Sequence, residues 1–216
     1  MNDIAGIREQ RAGGDIQRTL LVLAGWFFFA VWLGVGGALR ANGGPPLGVA
    51  AAILLPLVVF AVDRRLGSPL LGGLQRLDLP ALIGLQTFRI VGVIFIVAWF
   101  GGTLPGGFAL PAGIGDVAIG LAAPFVAAAV IARRPHHIAL ARIWNVLGAA
   151  DLITAVTTGV LHGRSPIGLL AGPVTTDAMA RYPLSLIPTF LVPLALMLHL
   201  CTFRALAARR QRPEPV

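Results

Sequence analysis

Apolar residues in this chain come in long unbroken runs separated by short polar or Gly/Pro-rich connections. Six runs stand out, at 19–39, 46–62, 79–101, 112–132, 138–161 and 183–203. Each approaches or exceeds the roughly 20 residues that a helix needs to cross a bilayer. Lipid offers no hydrogen-bond partners, so a spanning segment must be a helix or part of a closed barrel. The period-2 alternation of a barrel strand is absent, and the pattern therefore predicts an all-α, polytopic integral membrane protein with six transmembrane helices. The first run follows an 18-residue polar stretch, is too long for the apolar core of a signal peptide and has no small-residue cleavage pattern. It reads as a retained helix. The expected organisation is an N-terminal tail at 1–18, one six-helix domain at 19–208 and a basic tail at 209–216.

Composition narrows this further. Of 216 residues, 56% are hydrophobic and only 12% charged, about half the charge that covers a soluble domain. All 17 basic residues are arginine, against nine acids. The arginines sort by connection. Arg8, Arg11, Arg18, Arg64, Arg65, Arg76, Arg133, Arg134, Arg142, Arg204, Arg209, Arg210 and Arg212 fall on one side of a six-helix alternation; Arg40, Arg164 and Arg181 fall on the other. That bias predicts both termini in the cytoplasm. The absence of lysine and the compact loops fit a bacterial inner membrane. The lone Cys201 has no internal disulfide partner.

Several chemistries find no support. A haem needs facing axial ligands, but His136 and His137 are adjacent in a connection, His162 lies at the opposite side and His199 stands alone on the sixth run. No Cys/His cluster has zinc spacing and no phosphate-binding loop is present, so no cofactor, metal or ATPase activity is expected. The Arg209–Arg212 run beside a membrane helix serves orientation and anionic lipid rather than nucleic acid. The expected partners are the lipid bilayer and a small solute, ion or lipid ligand.

A charged side chain at the bilayer centre costs about 2.5–3.5 kcal/mol on insertion scales, so it needs a partner or a watery cavity. Arg89 sits near the middle of the third run, with Gln86 and Gly92 on the same stripe. Asp151 sits slightly outward of the middle of the fifth, on a stripe with Thr154 and Thr158, and Asn145 lies on the same run. Facing stripes would pair Arg89 with Asp151 and place Asp116 above them. The site candidates are therefore Arg89, Asp116, Asp151, Gln86 and Asn145. They would floor an outward-opening polar cavity, or serve as an ion pair that fixes helix register. Asp116 closes a segment with two prolines and four glycines (104–116) and is expected in the first turn of the fourth helix, where the helix dipole tolerates a carboxylate. His199 is expected near the inner end of the sixth helix, out of reach of Asp116. Pro188 and Pro193 should kink that helix.

Three functions fit these features. The leading one is transport of a small solute or ion through the Arg/Asp site, proton-linked if its carboxylates exchange protons. The alternatives are a membrane enzyme acting on a lipid-linked substrate at the outer interface, drawing on Asp116, Asp177, Arg164, Arg181, His162 and Tyr182, and a non-catalytic membrane subunit. No catalytic constellation is assigned.

Overall fold

The computed structural model describes residues 2–41, 44–67 and 70–210, with side chains from 13 to 209 within those ranges. The side chains of Arg8, Arg11 and Arg210, and Gly43 and all of 211–216 with Arg212, lie outside the described residues. Among the described residues all regular structure is helical. In order come α1 (Asn2–Val35), α2 (Leu47–Arg65), α3 (Gly72–Arg76), α4 (Leu79–Leu85), a 3-10 segment (Gln86–Gly92) and α5 (Val93–Phe100). Then follow α6 (Gly106–Ile131), α7 (His137–Leu161), a 3-10 turn (Thr176–Ala180), a π turn (Ile187–Leu191) and α8 (Val192–Arg210). Six stretches are long and apolar enough to cross a membrane: Gly13–Val35, Leu47–Arg65, Leu79–Phe100, Gly106–Ile131, His137–Leu161 and Ile187–Arg209.

These six follow the six apolar runs, but their bounds differ from the expected ones in informative ways. The polar stretch before residue 19 is helical from Asn2, so α1 is far longer than its apolar part. The third span is interrupted by the 3-10 segment, where the Thr87 hydroxyl donates to the Gly84 carbonyl at 2.7 Å. The fourth begins at Gly106 and runs through Pro111, which cannot donate to the Gly107 carbonyl one turn back. Asp116 is consequently in the middle of α6 rather than in its first turn. The sixth span starts at Ile187 and runs on to Arg209, which moves His199 from the end of the helix to its middle.

α6 is the hub of the bundle, packing on α4, the 3-10 segment, α5 and α7. Small residues make this possible. A Cβ at Gly113 would stand 3.1 Å from the Gly92 carbonyl oxygen, and one at Gly120 would stand 2.8 Å from the Ile90 nitrogen. Glycine there lets two backbones approach closely, the usual device of membrane helix packing. One apolar cluster (Leu79, Ile83, Ala123, Val126, Trp144, Leu206) fills the half of the bundle towards the α6–α7 turn. Another, with Phe95, Phe108, Leu152, Met179 and Ile187, lies in the opposite half.

The short α3 is clamped to its neighbours. The buried Asp63 carboxylate accepts from the Leu70 and Leu71 amides, both at 3.1 Å, while Thr19 accepts from the Gly73 amide and Arg76 pairs with Asp15. Asp78 caps α4 by accepting from the Ala81 amide at 2.9 Å. These contacts fix the connection between α2 and α4 as an elbow.

α1 is tied to the sixth span through a proline's missing donor. Pro193 has no N–H to offer the Thr189 carbonyl four residues back, and the Trp26 indole donates to that oxygen instead, at 3.1 Å. Trp26 and Phe27 both pack against Phe190. Replacing Trp26 with Phe keeps most of the packing but orphans the carbonyl, and is expected to destabilise the protein by about 1 kcal/mol. Adding Pro193→Ala, which returns an N–H at that place, should recover part of the loss in thermal unfolding. No recovery would mean that the indole bond is not compensating for the proline.

Candidate functional site

Four elements converge on one guanidinium near mid-span. The tightened 3-10 turn presents Arg89, which is only 3% exposed. Its Nε donates to Asp116 Oδ1 at 2.7 Å, and one terminal nitrogen donates to Asp151 Oδ2. The other terminal nitrogen reaches the Gly148 carbonyl at 3.0 Å and His199 Nε2 at 3.1 Å. Arginine offers five donors in a planar fork and no acceptor, so the histidine's hydrogens follow from the geometry. His199 Nε2 must carry the lone pair, hence Nδ1 carries the proton and donates to Asn145 Oδ1 at 2.7 Å. The Asn145 amide then donates to the His199 carbonyl at 3.2 Å. The result is a continuous chain from Asp116 and Asp151 through Arg89 and His199 to Asn145.

Of the five residues singled out from the sequence, Arg89, Asp116 and Asp151 meet directly, and Asn145 joins through His199. Gln86 is fully buried but separate: its amide donates to the Ala195 carbonyl at 3.0 Å and its Oε1 has no partner among the described residues. Arg89 engages both carboxylates rather than one. His199, set aside in the sequence for its depth, belongs to the cluster through Arg89, though it does not touch Asp116. Thr154 and Thr158 do not take part; each returns its hydroxyl to a carbonyl of its own helix.

Glycines make the cluster possible. A Cβ at Gly148 would stand 2.5 Å from His199 Cε1 and 3.1 Å from an Arg89 terminal nitrogen; one at Gly92 would press on Asp116, and one at Gly115 would collide with the Asp151 carboxylate. The signal existed in the sequence, as Gly115-Asp116 and Gly148 three residues before Asp151. Helix wheels alone do not show which glycine faces a charge on another helix.

A cavity of about 470 Å³ runs from one end of the bundle down to Asp116. Its walls are apolar, with Ile53 from α2, Phe95 from α5, Phe108 from α6, Leu152 and Val156 from α7 and Ile187 from the π turn. Its mouth carries Arg40, Arg164, Asp177 and Arg181. A second, water-sized space of about 20 Å³ adjoins the floor, touching Arg89, Gly92 and Asp116. Residues 46–207 match the family model described as Domain of unknown function (DUF8737). The chain belongs to that family. The matched region holds every member of the Arg89 cluster and nearly all of the cavity wall, while α1 and Arg40 lie before it. No curated protein and no solved structure matches the chain.

The residues expected to serve an enzyme site at the outer interface are divided. Arg164, Asp177 and Arg181 line the mouth, and Asp177 Oδ1 accepts from the Arg164 amide at 3.1 Å. His162 Nδ1 is bonded to the Thr158 carbonyl at 2.9 Å, and Tyr182 is exposed away from the cavity lining.

Proposed function

We propose that the chain is a multi-pass protein of a bacterial inner membrane, with both termini on the cytoplasmic face, and that it transports a small solute through the cavity that ends on the Arg89 cluster. One observation carries this reading: the cavity opens at the arginine-poor end and stops at Asp116, while a buried apolar cluster occupies the half beyond. That is the shape of a carrier held open to one side. The third and sixth spans both break regular α geometry beside the cavity floor, at the 3-10 segment and the π turn. Such interruptions are where spanning helices bend and where transport proteins place their sites.

The cluster supplies a coupling mechanism. Two carboxylates share one guanidinium, so as ions they leave a net charge of −1 in a low-dielectric region. A proton taken by Asp116 or Asp151 neutralises the cluster and weakens one of the two ion pairs that hold Arg89, which lets the interrupted third and sixth spans shift at the floor of the cavity. His199 cannot take that proton while Arg89 donates to its Nε2, so it acts as a fixed brace for the guanidinium.

Thiol accessibility tests this without knowledge of the solute. In a Cys201→Ala background, a cysteine at Val156, on the cavity wall, should react with a membrane-impermeant thiol reagent from the arginine-poor side. A cysteine at Ala127, in the packed half, should react from the other side in part of the population, and more so when the bath is acidified. A carrier requires both. An Ala127→Cys protein that is never labelled from either side would describe a static binding protein and sink the transport reading.

A further inference from the structure

Seventeen arginines divide into thirteen on one side of the spans, Arg89 within them, and three on the other. Those three, Arg40, Arg164 and Arg181, come from two connections separated by more than a hundred residues, yet all line the mouth of the same cavity. A random scatter of orienting charges would not produce this. Positive charge is depleted on that face in general, so its concentration at one opening points to a partner. Asp177 offsets part of it, lying 3.8 Å from the Arg164 guanidinium in a pair whose side chains are 71% and 48% exposed. Among the described residues, Arg40 and Arg181 have no carboxylate within ion-pairing distance.

Apart from the mouth arginines, Asp177, Ser165 and Thr176, Asp116 at the floor is the one polar side chain in the lining. Arg40, Arg164 and Arg181 therefore cap an apolar shaft. The volume is within the ~300–1,000 Å³ range of sites that take one small ligand. α7 packs chiefly on α6 and α8, and α2 chiefly on α8 and the π turn, so the cavity is bounded by two helices that do not pack extensively on each other. Leu54, on α2, lines the cavity and is itself exposed on the outside of the bundle.

We infer that the cavity takes an amphiphile with one apolar tail and an anionic carboxylate or phosphate headgroup, the tail in the shaft and the headgroup among Arg40, Arg164 and Arg181. This rests on the reading of the cavity as the substrate site, and names the class of molecule that fills it. Arginine suits the headgroup because its planar fork matches carboxylate and phosphate oxygens in pairs. The apolar wall suits the tail because burial of each methylene is favourable wherever water would otherwise fill the shaft. The source is a single-chain molecule drawn from the bilayer, since a cavity of this size leaves no room for a second tail.

The test uses the full chain in nanodiscs of zwitterionic lipid, with six probes: dodecyl phosphate, oleate, dodecanol, dodecyltrimethylammonium, inorganic phosphate and phosphatidic acid. Dodecyl phosphate and oleate should bind saturably at one per chain, whereas dodecyltrimethylammonium and inorganic phosphate should not compete in the same range. The exposed double variant Arg164→Gln/Arg181→Gln should weaken dodecyl phosphate on the order of ten-fold and leave dodecanol unchanged. Ala155→Trp, which fills the wall, should abolish binding of both. Unchanged affinity for the anionic probes in the double variant, or binding of the cationic probe as tight as that of the anions, overturns the proposal. So does displacement of dodecyl phosphate by the two-tailed phosphatidic acid or by inorganic phosphate alone. Binding of the anionic probes together with an Ala127→Cys protein that is never labelled would leave the ligand class standing and remove transport.

Discussion

Replacing Arg89 with Met should cost the protein about 3–5 kcal/mol of stability, because it leaves two buried carboxylates facing each other without a cation. The geometry sets this expectation. Arg89 donates to Asp116, Asp151, the Gly148 carbonyl and His199, so one substitution strips partners from four groups on two helices besides α8. Lysine should rescue little, since a single ammonium is a point donor and cannot bridge sites spread around a planar fork. The informative variant is the triple Arg89→Met/Asp116→Asn/Asp151→Asn. Removing all three charges together abolishes the unpaired desolvation cost, and such replacements are often neutral or stabilising. Thermal unfolding in nanodiscs should therefore recover in the triple variant while acid-dependent labelling of Ala127→Cys does not. A cluster that serves only to fix helix register would recover both. An Arg89→Met protein that unfolds at the wild-type temperature would show that the pairs seen here contribute nothing net.

How much of this was readable in the residues depends on whether a feature is local. The six runs, the arginine asymmetry and the presence of Arg89 and Asp151 where lipid forbids charge all follow from single segments and the cost of burying polar groups. The depth of a residue is less local, because it depends on where the helix begins. Pro111 invites a late start for the fourth helix and so puts Asp116 in a first turn. The chain instead runs helically through that proline from Gly106, and Asp116 descends to the level of Arg89. Likewise Pro183 and Pro188 invite an early start for the sixth span; the actual start at Ile187 brings His199 to mid-depth and into contact. The convergence of Arg40, Arg164 and Arg181 was not readable at all. It is set by how the α1–α2 and α7–α8 connections meet in space, and a loop arginine carries no trace of that in its own neighbourhood.

Gly115→Ala and Gly148→Ala are expected to destabilise strongly, against what helix propensity alone demands. Alanine in place of a mid-helix glycine ordinarily stabilises by about 0.8–1.0 kcal/mol, and Gly25→Ala should behave that way, since an added Cβ there meets nothing within 4 Å. At Gly115 the same methyl occupies the position of the Asp151 carboxylate, and at Gly148 it stands 2.5 Å from the His199 ring. Either the helices separate or the ion cluster loses a member. Overpacking of this kind costs about 1–3 kcal/mol, to which a displaced carboxylate adds the penalty of a charge without its hydrogen bonds. The two variants should differ in what they disturb. Gly115→Ala pushes Asp151 from Arg89 and leaves Asp116 as its partner, so the cluster keeps one ion pair and loses its net negative charge at the guanidinium. Gly148→Ala pushes His199 and frees the Nδ1–H bond to Asn145, leaving both carboxylates in place. Acid-dependent labelling of Ala127→Cys should thus weaken in Gly115→Ala and persist in Gly148→Ala at matched folded fraction, with Gly25→Ala as the propensity control. Equal and small stability changes for all three glycines would mean that close approach at the cluster is not what keeps these positions free of a side chain.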